Sequence, residues 1–353
     1  MKVNIDFLVS GCSTQCVHCY VNGGPGPFMQ TDDALACIEK LDQISALLPE
    51  EASFTLDHEP MNHPEIAKIL HAASHTKHII NYHHGMTAGV GFMARCDKEA
   101  VVKSYLENRY NEFGITLHGV SAHHDEIVNR KGAFDKTINA ARFFSRQGCR
   151  VQISLMMNRF FAEDAGRISC LIDDIGAEDI YFAVPIFTPH SNMMRFEPYR
   201  ATLETFESIY RYLPGWNQNP EEVMERARRN SVGGVGENVQ YMDLRRLWKE
   251  KQDVLYLTLH QDCTIYVGNS GAETQALGDL RKLNPKFVAE IIQKLPGNYD
   301  YSAYYDIENV PDAERVWRAL KAIPQDLVYG DFASALYRAF VELAVPTKLL
   351  SKA

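Results

Sequence analysis

A chain of 353 residues with 46% apolar content is long enough to bury a large core, and no run of it approaches the length needed to cross a bilayer. The net charge of −9, with no basic tract, argues against nucleic acid or an anionic membrane as partner. Eight cysteines, a few of them clustered and the rest scattered, do not make a disulfide framework, so a cytosolic, reducing compartment is expected.

In chain order, residues 1–4 lack the basic, apolar and small-residue order of a secretory signal and lead straight into a strand over 3–9. Next comes Cys12-Ser13-Thr14-Gln15-Cys16-Val17-His18-Cys19, then a glycine–proline stretch, Asn22-Gly23-Gly24-Pro25-Gly26-Pro27, which must be irregular. Thr31-Asp32-Asp33 is expected to cap a helix running to about residue 48. Strands are predicted over 53–56, 78–82, 114–117, 150–156 and 180–184, and helices over 64–75, 98–109, 134–147 and 162–175. Strand and helix alternate through the first ~200 residues, the pattern of βα units around a parallel sheet. Beyond residue 200 the texture changes. A charged helical stretch over 202–253 contains the turn-rich Asn230-Ser231-Val232-Gly233-Gly234-Val235-Gly236. A hairpin follows over 254–259 and 264–267, then helices near 285–294, 312–323 and 327–343. The expected organisation is two blocks, 1–200 and 201–353.

Cys12, Cys16 and Cys19 stand at C-x3-C-x2-C on the loop leaving the first strand. Thiolates are soft ligands that suit zinc and iron–sulfur clusters. Zinc sites usually pair two cysteines with two further cysteines or histidines, and no second C-x2-C exists here. A [4Fe–4S] cluster normally takes four cysteines. With three, one iron is left open to bind and activate a small molecule.

This spacing resembles the signature of the radical S-adenosylmethionine (SAM) superfamily. The resemblance implies a partial (β/α)6 barrel of TIM type with a C-terminal α+β extension. It also implies a [4Fe–4S] cluster on Cys12, Cys16 and Cys19 whose open iron chelates SAM, and reductive cleavage of SAM to a 5′-deoxyadenosyl radical. His18 is compatible with the often aromatic position between the second and third cysteines. Strand 2 ends in Asp57-His58-Glu59-Pro60, similar to the family's Gly-Gly-Glu-Pro. That implies a contact from Glu59 to the SAM amino group, with Asp57 and His58 in place of both glycines. Ile115-Thr116-Leu117-His118-Gly119, with Arg130 downstream, resembles a stretch of peptide-modifying members. There Thr116 would meet the SAM ribose and Arg130 its carboxylate. Asn158 is a further candidate cofactor contact, and His190, Asn192 and Arg195 are candidate substrate contacts.

Residues 261–267 and 276–280 look like the start of a SPASM or twitch extension, but no cysteine follows Cys263 and an auxiliary cluster cannot be assembled there. One cluster is expected, with residues 201–353 capping the substrate site. Cys263 could donate a hydrogen atom to a substrate radical or simply fill a hairpin turn. The family reading implies tailoring of a peptide or small natural product, with an electron donor such as flavodoxin or ferredoxin. A zinc-stabilised hydrolase or binding protein, and a catalytically silent homologue acting as a partner protein, are the alternatives.

Overall fold

The structure is a computed structural model, and it describes all residues except 20, 22, 83, 84, 190, 250–252, 299–303 and 350–353. Its first part runs β1 (Lys2–Phe7), α1 (Thr31–Ser45), β2 (Ala52–Leu56), α2 (Ile66–Ser74), β3 (Ile80–Asn81), α3 (Lys98–Glu107), β4 (Glu112–Leu117), α4 (Ala122–Ile127), α5 (Ala133–Arg146), β5 (Arg150–Met156), α6 (Phe161–Ile175) and β6 (Asp179–Ala183). The second part runs α7 (Leu203–Ile209), α8 (Pro220–Asn230), α9 (Val232–Val239), α10 (Leu244–Lys249), β7 (Val254–Leu259), β8 (Thr264–Val267), β9 (Gln275–Asp279), α11 (Pro285–Ile292), α12 (Ala313–Lys321) and α13 (Phe332–Glu342).

Every pairing among β1 to β6 is parallel, in two arcs, β3-β2-β1 and β4-β5-β6. They meet through the segment after β3, where the Gly85 and Thr87 amides donate to Glu112 and Gly114 of β4. The side-chain alternation of a strand then sorts residues to two faces. Val3, Ile5 and Phe7 join a core with Ile38 and Leu41 of α1, and Phe113 stacks on Phe144 of α5 at 4.4 Å. Asn4, Asp6, Ser53 and Thr116 face the other way, into the barrel, where Ser53 Oγ donates to Asn4 Oδ1 at 2.9 Å. This is the expected partial TIM-like barrel.

Where the sequence indicates only a hairpin, β7 also pairs in parallel with β1 along its whole length, Lys2 opposite Val254 to Phe7 opposite Leu259. The antiparallel β8 and β9 extend that sheet outward. The extension therefore grows out of the barrel's own sheet. Its helices α9, α12 and α13 enclose a second core around Val232, Val235, Leu336 and Phe340.

Two expectations need correction. The glycine-rich stretch at 230–236 is mostly helix: the Ser231 hydroxyl caps α9 by accepting from Gly234 N at 3.1 Å, and Val232, Val235 and Val239 bury one face. Gly234 lets the two helices approach, since a Cβ there would lie 2.1 Å from Arg228 O. Thr31 does not cap α1. Its hydroxyl donates to Glu65 Oε2 at 2.6 Å, and Gln30 occupies the cap position with no side-chain bond.

Candidate active site

Ligand sites of parallel barrels form on the loops after the strands, and the candidate residues gather there. The cysteine loop leaves β1 and is fastened by its backbone on three sides. Cys12 N donates to Gly24 O at 2.9 Å, Gln15 N to Val128 O at 3.3 Å and Val17 N to Ile127 O at 2.9 Å. Asn62 Nδ2 donates to Gly11 O at 3.0 Å, Gly91 N to Ser13 Oγ at 3.1 Å, and the Arg130 guanidinium to Ser13 O. Gly11 has no room for a side chain: a Cβ would lie 2.4 Å from Gly26 N and 2.8 Å from Gly24 O, both backbone. Gly11→Ala is therefore expected to displace the loop, cutting iron bound per chain at least several-fold while the far-UV circular dichroism spectrum stays native.

The three thiols share this loop. Cys12 Sγ and Cys16 Sγ both contact the Thr14 hydroxyl, at 3.3 and 3.5 Å, and Gly23 N donates to Cys19 Sγ at 3.1 Å. Burial pushes the Cys12 and Cys16 thiols up to about 12, so they carry protons that a soft metal must displace. Three sulfur donors with hydroxyl and amide neighbours fit the thiolate ligand set of an iron–sulfur cluster.

Glu59 enters from the end of β2 and is buried. Its carboxylate accepts from Thr87 Oγ1 at 2.7 Å and from Ala88 N, and its carbonyl accepts from Ser10 Oγ at 2.5 Å. Burial raises its carboxyl to about 7, against the lowering effect of those bonds. His58 has φ of +64°, so the turn keeps the left-handed geometry that glycine favours, and its ring meets Ser270 Oγ at 3.0 Å.

His18, half-buried, packs against His118 from the end of β4, with ring centroids 4.5 Å apart and the two Nε2 atoms at 3.4 Å, and edge-on to Phe196 at 5.8 Å. Burial lowers His18 to about 4, so its imidazole is neutral. Thr116 is half-buried on the inner face of β4. Asn158 is fully buried, and both its amide donors are spent, on His118 O at 2.7 Å and Met156 O at 3.1 Å. It fixes the turn that carries His118. Arg130 is exposed and held on the cysteine loop. Arg195 is exposed at the end of a 3-10 turn, Ser191–Arg195, which includes the backbone of Asn192; the Asn192 side chain and His190 lie outside the described residues. His118, Thr87 and Thr14 escaped the sequence reading. The first stood inside the quoted 115–119 motif without a role, and the other two carried no pattern.

The surroundings of Cys263 favour the hairpin-turn role. At φ +67° it closes the β7–β8 turn where glycine would be free of strain. Its thiol is buried in the main core, which it shares with Cys37 on α1. A hydrogen donor must face the barrel interior, so Cys263→Ala is expected to leave both SAM cleavage and product yield unchanged.

The carboxyl end of β1 carries a second electrostatic feature. Burial and then the neighbouring Asp57 raise the Asp6 carboxyl to about 7, although Ser270 N donates to Asp6 Oδ2 at 2.9 Å. A raised folded value means this group's stabilisation is complete below about 4 and is lost as pH rises through 7. Asp6→Asn keeps an acceptor for Ser270 and removes the buried charge. It is expected to raise stability at pH 8 by on the order of 1–3 kcal/mol and to change little at pH 4, read from denaturant melts at both pH values.

The parallel barrel's cysteine loop and its buried carboxylate meet at the carboxyl ends of β1 and β2. Residues 7–166 match the family model Radical SAM superfamily. Such domains use a [4Fe–4S] cluster and SAM. No curated protein matches the sequence. Among solved structures, native anSMEcpe with bound AdoMet and Cp18Cys peptide is 12% identical, with a TM-score of 0.53 over 98% of this chain and 97% of that one. SuiB from Streptococcus suis bound to S-adenosylmethionine is 11% identical, with a TM-score of 0.53 over 94% of this chain and 76% of that one. At such identity these matches establish the shared fold. Among the described residues, no helix is long and apolar enough to cross a membrane.

Proposed function

We propose that this protein is a radical SAM enzyme that abstracts hydrogen from a peptide or small natural product, with one cluster on Cys12, Cys16 and Cys19. The observation that carries the reading is one fastened loop bearing all three cysteines, beside the buried Glu59 from the neighbouring strand. When bound, the cluster supplies the electron that cleaves SAM to a 5′-deoxyadenosyl radical. The chain's own residues hold and orient. Glu59 offers lone pairs to the SAM ammonium in a charge-assisted bond, with Thr87 and Ala88 fixing the carboxylate. Thr116 lies on the inner face, where a ribose hydroxyl could be met. Arg130, placed on the loop backbone, orients the cysteines. Residues 201–353 cap the substrate space and exclude water that would quench a radical. A peptide substrate is supported by the peptide bound to anSMEcpe and the precursor peptide SuiA bound to SuiB. A flavodoxin or ferredoxin is the reductant we propose. The test is anaerobic incubation of the iron-loaded chain with dithionite and SAM. Formation of 5′-deoxyadenosine supports the reading, and its absence from protein with a full cluster would make this a silent homologue.

A further inference from the structure

A second ligand set shares one residue with the cysteine loop. Cys16, His18 and His118 each place a donor atom within 4.8 Å of the other two. The His18 and His118 Nε2 atoms are 3.4 Å apart. On a tetrahedral zinc ion with Zn–N bonds of about 2.0–2.1 Å, two histidine nitrogens stand about 3.3–3.4 Å apart, so the pair already spans one edge of that polyhedron. A shift of about 1 Å would bring the Cys16 sulfur to the corresponding Zn–S edge. His118 is buried, with its Nε2 turned toward His18. Its backbone is pinned at both sides, by Asn158 Nδ2 on its carbonyl and by the 3.3 Å contact of its amide with His124 Nδ1. One thiolate, two imidazoles and an open fourth position are a donor set that suits zinc.

We propose that the cluster-free chain binds one tetrahedral divalent cation of the zinc type at Cys16, His18 and His118. Because Cys16 belongs to both sets, this ion and the cluster exclude each other, and cluster assembly requires its release. The inference concerns the cluster-free chain and does not need SAM chemistry to occur. Its failure would leave the iron content of reconstituted wild-type protein, which bears on the proposed function, untouched.

The probe is cobalt(II), which takes zinc sites and reports their geometry by colour. Titrated anaerobically into the full-length cluster-free chain, it is expected to bind at one per chain. The visible bands of four-coordinate cobalt should appear with one thiolate-to-cobalt charge-transfer band, and zinc should bleach both. Cys16→Ala, His18→Ala and His118→Ala should each weaken binding more than about tenfold, the scale of loss on removing support from a metal site. Cys12→Ala and Cys19→Ala should bind as wild type does. Circular dichroism of each variant separates a lost ligand from a lost fold. Binding that depends on Cys12 and Cys19 but not on the histidines would overturn the proposal, as would six-coordinate cobalt or no binding by natively folded protein.

Discussion

Replacing any one of Cys12, Cys16 and Cys19 by alanine should abolish cluster assembly and, with it, cleavage of SAM. Iron after anaerobic reconstitution should fall from about four atoms per chain to background. The effect is large because no other thiol can substitute. Cys37, Cys149 and Cys263 are buried in the core, and Cys96 and Cys170 are exposed outside the loop. The fold itself should survive, since the loop is held by backbone bonds to Gly24, Ile127 and Val128 that these substitutions leave in place. Melting temperatures of the cluster-free variants should accordingly stay within a few degrees of the cluster-free wild type. Cys170→Ala serves as control and should retain full iron.

Glu59→Gln should weaken SAM binding roughly 10–100-fold at pH 8, the loss expected when a charge-assisted bond to a desolvated ammonium becomes a neutral one. With its oxygen on Ala88 N, the amide can turn its NH2 to donate to the Thr87 hydroxyl, so each contact can keep a hydrogen bond, with the Thr87 bond reversed. The same change should alter stability in the opposite sense. Burial raises the Glu59 carboxyl to about 7 from an ordinary 4.5. Its contribution is therefore complete below about 4.5 and is lost as pH rises through 7. Glutamine removes this loss, so the variant should be at least as stable as wild type at pH 8 while binding SAM less well. Equilibrium dialysis of SAM, alongside denaturant melts at pH 5 and pH 8, separates the two effects. A variant that lost stability and kept SAM affinity would mark Glu59 as a structural carboxylate.

Much of this was legible in the sequence because local pattern and local structure agree. Parallel strands buried on one face follow from Val3, Ile5 and Phe7 alternating with polar residues, and C-x3-C-x2-C on the loop after β1 places the thiols. His58 stands where the similar motif has glycine, and Cys263 closes a tight hairpin turn, so both turns raise the question of backbone geometry. The chain keeps the left-handed conformation at both, with φ of +64° and +67°. A backbone demand thus persisted where the residue best suited to it did not. What stayed hidden depends on distant partners. The parallel pairing of β7 with β1 joins residues some 250 apart, and no local signal announces it. The helix α9 forms from a glycine-rich stretch because its valines complete a core with α12 and α13, and that packing outweighs propensity. His118 carries no local signal until the fold brings it against His18 across 100 residues.

Mössbauer spectroscopy of iron-57-loaded protein, recorded without and with SAM, addresses the reading most directly. A chain that holds a [4Fe–4S] cluster by Cys12, Cys16 and Cys19 should show about four irons, one of which alone changes its signal when SAM is added. Four irons indifferent to SAM, or a chain that takes up zinc and no iron under reconstitution, would contradict it.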